Sequence, residues 1–354
     1  MQNKQITTLT EHRPIYIFGP CSAESREQVM QTASQIADLR LKINDFQFIF
    51  RAGVWKPRTR PDTFQGAGEE GLGWLAEVKR ILGIPVATEV ATPEHVEAAL
   101  RAGIDYLWIG ARTSANPIAV QAIAEAINAA KPHCGTPKAV LIKNPVNADA
   151  QLWLGNIERL EKTGVPVMAI HRGCDHQSCW HMAHEVRLAR PDIPMLLDPS
   201  HMSGDANKVP ELMKKVPELG LDGAMVEVHC CPEKALSDKD QQITPTCLRD
   251  ALDPIPCRVR VVAVFSTSDS SHELNWLRAE IDELDDQLWE TIAARMDVSR
   301  RIGEWKKAHN IAPLQPERYQ QIVERLRATG YGLSDEFMLR VWELIHEESL
   351  NQQR

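Results

Sequence analysis

Apolar and polar positions follow two different rhythms along this chain. Up to about residue 253, short apolar runs recur between amphipathic stretches: Pro14–Gly19, Phe46–Phe50, Pro85–Thr88, Tyr106–Gly110, Ala139–Ile142, Val167–Ile170, Met195–Leu197 and Ala224–Val228. Such runs read as buried parallel strands, and intervening stretches such as Glu27–Arg40, Glu69–Leu82, Pro93–Ala102 and Pro117–Ala130 read as crossover helices. Eight strand-and-helix repeats in about 250 residues predict an α/β fold, a closed (β/α)8 TIM barrel, better than an open doubly wound sheet. A dinucleotide-binding sheet also needs a GxGxxG loop after its first strand; here the sequence reads GPCSAES.

Beyond Pro254 the rhythm changes. Residues 254–271 are irregular and Ser-rich, the expected linker between a barrel over 1–253 and an all-α domain over 272–354. Within it, Val259–Phe265 reads equally as an extra strand or a packing arm. Leu274, Leu277, Ile281, Leu284, Leu288 and Ile292 then recur at helical spacing, continued by Val298, Ile302 and Trp305. A helix of this length spans about 50 Å, too much for a small domain to cover, so its apolar stripe predicts dimerisation. Pro313 and Pro316 end it; a shorter helix runs from about Glu317 to Ala328, Gly330 and Gly332 turn, and Ser334 caps a last helix starting at Asp335.

Composition narrows the function classes. Lys and Arg number 40 against 48 Asp and Glu among 354 residues, a formal charge of −8, which disfavours nucleic acid as a partner. With 43% hydrophobic residues and no apolar run near the roughly 20 residues that span a bilayer, no membrane role is expected. The polar start, Met1 to Arg13, carries no secretion signal, so a cytoplasmic setting is expected, with the 8 cysteines as thiols. Little precedes the first strand, so regulation is expected from elsewhere than an N-terminal domain.

In such barrels the chemistry sits at the C-terminal ends of the strands. The runs lead in turn to Cys21, Arg51, Glu89, Arg112, Lys143, His171-Arg172, Asp198 with His201, and Glu227 with His229. A lone arginine at a strand end is usually a surface ion-pair partner; this many strand ends in agreement point instead to a site. Arg51, Lys56, Arg58, Arg112, Lys143 and Arg172 form a cationic group suited to two phosphates, or to a phosphate and a carboxylate. Cys21, His201, Glu227 and Asp238 come from strands that closure makes neighbours. A lone buried cysteine is most often a small core residue, but this mixed S/N/O set suits one divalent transition ion, with Mn, Fe, Zn and Co all open. Asp240 is a rival to Asp238, and Asp198 is placed to support the metal ligands.

The segments GPCSAES, FRAGVWKPRTRPDTFQG, ATEV, IGARTSANP, LIKNP, HRG, DPSHMSG and MVEVHCCPEKALSDKDQQ resemble the 3-deoxy-D-arabino-heptulosonate 7-phosphate (DAHP) synthases, of the type I beta-like group, over about Pro14 to Leu252. The resemblance implies condensation of phosphoenolpyruvate with erythrose 4-phosphate, releasing phosphate. It implies a metal on Cys21, His201, Glu227 and Asp238, with phosphoenolpyruvate against Arg51, Lys56, Arg112, Lys143 and Arg172. It also implies the erythrose 4-phosphate phosphoryl group against Arg58, Thr59 and Ser114, and on Glu89 the water that attacks C2. KPRT separates this group from the sister octulosonate 8-phosphate synthases. Cys230-Cys231 departs from the proline and acid that usually follow the histidine and reads as local packing.

In the tail, Arg295 and Lys306 are eleven residues apart and return to one helix face; Arg278 lies about 100° away. Ser349 and Gln353 stack at i, i+4. Charges on a helix are ordinarily its solvated face. Yet LNWLRAEIDELDDQLWETIAARMDVSRRIGEWKK, PLQPERYQ and LIHEESLNQQ resemble the all-helical chorismate mutases over about His272 to Arg354. That resemblance implies a pocket of Arg295, Lys306, Gln315, Arg318, Ser349 and Gln353, with Arg278 entering from the other subunit and Lys306 and Gln353 flanking the ether oxygen of chorismate. Tyr319 stands where a glutamate is usual; a phenol can bond a hydroxyl but carries no charge at pH 7. The sequence thus predicts a bifunctional enzyme making DAHP and converting chorismate to prephenate, with feedback from the helical domain onto the barrel. The alternative is a synthase whose tail only binds chorismate or prephenate and dimerises.

Overall fold

The computed structural model describes residues 10–40, 46–56, 63–175, 177–253, 255, 260–262, 270–329 and 331–353. Strands β2 (Ile15–Gly19), β3 (Gln47–Arg51), β4 (Val86–Glu89), β5 (Tyr106–Ile109), β6 (Ala139–Lys143), β7 (Val167–His171), β8 (Met195–Leu197) and β9 (Gly223–Glu227) close into a parallel barrel, β9 pairing back onto β2. A separate antiparallel ribbon joins β1 (Thr10–His12) to β10 (Arg260–Val262), with Glu11 opposite Val261. The stretch Val259–Phe265 therefore contributes a strand; Val259 and residues 263–269 lie outside the described residues.

Strand side chains alternate between two cores, as period-2 geometry requires. Ile15, Ile17, Ile49, Ala87, Trp108, Leu141, Ile170, Leu196 and Met225 fill the barrel interior. Their neighbours Tyr16, Phe18, Phe48, Phe50, Leu107, Val140 and Ile142 point outward into the layer between strands and helices. The helices start where the sequence offers caps: Thr92 accepts from the His95 amide, Asn116 from Ile118 and Ala119, and Asp149 from Leu152. Filling both sides of each strand leaves only strand ends and following loops free for chemistry.

The chain divides into two compact units, Met1–Glu280 and Ile281–Arg354. The first turns of the helix Ser270–Ala308 belong to the barrel unit. There Trp276 is buried edge-to-face against Trp180 and stacked on His184, and its Nε1 donates to the Leu219 carbonyl at 3.1 Å. His184 Nδ1 pairs with Glu280 Oε1 at 2.8 Å. The second unit holds the rest of that helix with Pro316–Thr329 and Asp335–Gln353; Ser334 Oγ accepts from the Phe337 amide as the predicted cap. No helix among the described residues is long and apolar enough to cross a membrane.

Candidate active site

Four strands deliver their last residue to one mouth of the barrel: Arg51, Glu89, Lys143 and Glu227; His171, last on its own strand, instead turns outward and is buried against Trp153 and Trp180. Cys21 follows β2 by two residues, Arg112 lies on the short helix Ala111–Ser114, and Asp198 caps the helix Pro199–Ser203. Donor atoms of Cys21, Glu227 and Asp238 lie within 4.8 Å of one another. The expected fourth donor, His201, stands beside them with its Nε2 3.6 Å from Glu227 Oε1 but is not one of the donors that are all within 4.8 Å of one another. Asp198 fixes that orientation by holding His201 Nδ1 at 3.0 Å and accepting from the His201 amide. Asp238, rather than Asp240, joins the cluster, from a residue in left-handed backbone at φ 46°.

The electrostatics of this cluster suit a cation. Burial drives the Cys21 thiol upward, and Glu227 and Asp238 push further than Lys56 and Arg51 pull back. Glu227 is held below the ordinary carboxylate range because His201 and Arg51 outweigh its burial. Asp198 is held well below it, burial being outweighed by His201 and Lys143, whose Nζ sits 2.5 Å from Oδ2. Cys21 Sγ lies 2.9 Å from both Asp238 Oδ2 and Lys56 Nζ. A thiol and two carboxylates in this space, with the His201 imidazole against one of them, fit a divalent ion, which would take the sulfur as thiolate.

Arg51, Lys56, Lys143 and Arg172 border that cluster. Arg51 is 1% exposed; its Nη2 donates to Glu227 Oε1 at 3.1 Å and its guanidinium lies 4.6 Å from the centre of the Trp108 ring. Its Nε and Nη1 are buried with no hydrogen-bond partner among the described residues, as is Arg172 Nε. Burial would lower Lys56, but Cys21, Glu89, Glu227 and Asp238 outweigh it and raise it. Buried donors left unpaired are costly, so this set asks for an anion. Glu89 is buried against Gly110, where any Cβ would collide with its Oε1.

Not every expected residue joins this arrangement in the same way. Arg58 and Thr59 lie outside the described residues. Ser114 is fully buried, its hydroxyl donating to the Ala111 carbonyl at 3.0 Å. Sequence reading passed over Gln241, whose Nε2 donates to Glu227 Oε2 at 2.7 Å, and Gln242, whose Oε1 accepts from the Cys21 amide at 2.9 Å. It also passed over Asn144, whose Oδ1 accepts from the Arg172 amide at 2.8 Å. Their positions gave a signal: two follow the DKD segment, and one follows Lys143 directly.

In the helical unit, Arg295 Nη1 donates to Ser349 Oγ, and Lys306 Nζ donates to Gln353 Oε1 at 3.2 Å and to the Pro313 carbonyl at 2.6 Å. Gly303 permits this approach, since a Cβ there would overlap the Gln353 backbone. Tyr319 reaches the same helix face through His346, with ring centres 4.9 Å apart. Gln315 and Arg318 are exposed, and Arg278 is exposed within the first unit. Burial lowers Arg295.

A closed barrel bearing a soft-and-hard donor cluster beside buried guanidinium and ammonium groups is the architecture of a metal-assisted, aldolase-type enzyme. The chain belongs to the DAHP synthetase I family, which its residues 1–253 match. Residues 277–354 match the chorismate mutase type II family. Phospho-2-dehydro-3-deoxyheptonate aldolase of Thermotoga maritima is 32% identical over 234 residues, which cover 64% of this chain and 64% of that protein. The 2-dehydro-3-deoxyphosphooctonate aldolase of Desulfatibacillum aliphaticivorans is 28% identical over 67% of this chain and 89% of its own length. Among solved structures, a DAHP synthase from Thermotoga maritima superposes with a TM-score of 0.58 at 28% identity, over 69% of this chain and 68% of that one.

Proposed function

We propose that the barrel, over residues 1–253, condenses phosphoenolpyruvate with erythrose 4-phosphate to DAHP and phosphate. The proposal extends to a helical domain over 272–354, joined through the linker 254–271, that rearranges chorismate to prephenate. The observation that carries the barrel reading is Arg51, a buried cation whose Nη2 bonds Glu227 of the donor cluster while its Nε and Nη1 have no hydrogen-bond partner among the described residues. Arg51, Lys56, Arg112, Lys143 and Arg172 take the phosphate and carboxylate of phosphoenolpyruvate; Arg58, Thr59 and Ser114 take the phosphate of the aldose. Cys21, His201, Glu227 and Asp238 hold one Mn, Fe, Zn or Co ion, which when bound supplies Lewis-acid polarisation of the aldehyde. The C3 of phosphoenolpyruvate forms the new bond to the aldehyde carbon, Glu89 orients the water that attacks C2, and the fixed cations absorb charge as phosphate departs.

In the helical domain, Arg295, Lys306 and Gln353, with Arg278 of a second copy, hold two carboxylates and an ether oxygen in place, so catalysis comes from preorganised charge. The reading includes a homodimer and a cytoplasmic setting that keeps Cys21 reduced. A second reading, a tail that binds but does not turn over, is favoured by one observation, a tyrosine at 319 where the resemblance implies a glutamate. The sister octulosonate activity is the rival for the barrel, and an aldose screen separates the two. Loss of phosphoenolpyruvate is expected with erythrose 4-phosphate and not with arabinose 5-phosphate; the reverse preference would overturn the assignment.

A further inference from the structure

The last helix carries two polar groups that the expected mutase pocket does not use. Trp342, His346, Ser349 and Gln353 follow one another at i, i+4, i+7 and i+11 and so share the face that meets Arg295 and Lys306. The Arg295 guanidinium lies 5.1 Å from the centre of the Trp342 ring, and the Trp342 and His346 rings stack with centres 5.7 Å apart. Tyr319 packs on both, at 4.9 Å from His346 and 6.4 Å from Trp342. Trp342 Nε1 and His346 Nε2 are both buried with no hydrogen-bond partner among the described residues.

An indole N–H can only donate, so Trp342 Nε1 needs an acceptor; a neutral imidazole nitrogen can serve a hydroxyl in either sense. The His346 ring is held toward its neutral form by burial and by the positive charges of Arg295 and Lys306. An aromatic trio therefore borders the cations, with Tyr319 at the position where the resemblance implies an acid. We propose that Trp342 Nε1 and His346 Nε2 are substrate contacts of the mutase pocket. Trp342 shares one carboxylate of a hydroxylated dicarboxylate with Arg295, and His346 with Tyr319 holds its ring hydroxyl. The assignment rests on the mutase reading of this domain.

The test is steady-state kinetics of the full chain with chorismate and with an analogue lacking the ring hydroxyl. Trp342→Phe deletes only the N–H, His346→Leu the polar nitrogens, and His346→Gln returns a hydrogen-bonding group. Losing one such bond should raise KM for chorismate by about fivefold to tenfold in Trp342→Phe and His346→Leu, with kcat within about twofold. His346→Gln should recover most of the loss, and His346→Leu should cost under about twofold with the deoxy analogue. Chorismate KM within about twofold of wild type in Trp342→Phe and in both His346 variants would overturn the assignment while leaving the mutase reading intact. If His346→Leu loses helix content by circular dichroism, Trp342→Phe and His346→Gln decide the matter. A wild-type chain that neither binds nor consumes chorismate would overturn the mutase reading itself, and the assignment with it.

Discussion

At the scale of single residues, the barrel mouth works through side chains whose burial is matched by a partner or left for one. His171 is the exception among the strand ends. It is fully buried beside Trp153 and Trp180, its Nε2 bonded to the Ser178 carbonyl at 2.7 Å, its Nδ1 without a partner among the described residues. Burial pushes it down to about 4. A histidine lowered in this way stays neutral in the folded protein while the unfolded chain gains a proton below about pH 6.5. Its contribution is thus complete at neutral pH and is lost as pH falls from about 6.5 toward about 4. Wild type should therefore lose about 2 kcal/mol more than His171→Asn between pH 7 and pH 5 in chemical denaturation. Equal losses would contradict this placement. The strand ends themselves were legible in the sequence because barrel topology says where chemistry sits; Trp342 and His346 were not, because an aromatic and a histidine at helical spacing look like ordinary core.

At the scale of elements, the apolar runs announced the barrel because each strand is buried on both faces and so is apolar almost throughout. Less legible was how the helix Ser270–Ala308 divides, since its spacing is continuous while its packing is not. Trp276 and Ala279 are buried, whereas Ile281, Leu284, Leu288 and Trp289 are 58%, 62%, 53% and 67% exposed. Loop details such as the left-handed backbone of Asp238 had no counterpart in any periodicity, and only the family motif favoured Asp238 over Asp240. An apolar stripe left this open is the surface expected to meet a second copy of the chain. Sedimentation should show a dimer for wild type and a shift toward monomer for the double variant Leu284→Asp, Leu288→Asp. A monomeric wild type, or an unchanged dimer in the variant, would contradict the expectation.

At the scale of the whole molecule, one chain joins a DAHP synthetase I barrel to a chorismate mutase type II domain. Fusion makes feedback physically accessible, because a ligand that binds the helical domain better in one state of the chain biases the barrel toward that state. Saturating prephenate is expected to lower synthase activity of the full chain by about fivefold or more, a typical coupling between linked sites. Unchanged kinetics would remove feedback from the account and leave both active sites standing.

The barrel reading depends on Cys21, His201, Glu227 and Asp238 sharing one ion beside the buried cations. Cobalt(II) titration of the full-length protein reads that directly, since a thiolate ligand gives an intense near-ultraviolet charge-transfer band. One equivalent per chain should produce the band in wild type, and Cys21→Ser should abolish it while keeping its fold by circular dichroism. A band that survives in Cys21→Ser, or a wild-type chain that takes up no cobalt at this site, would contradict the account.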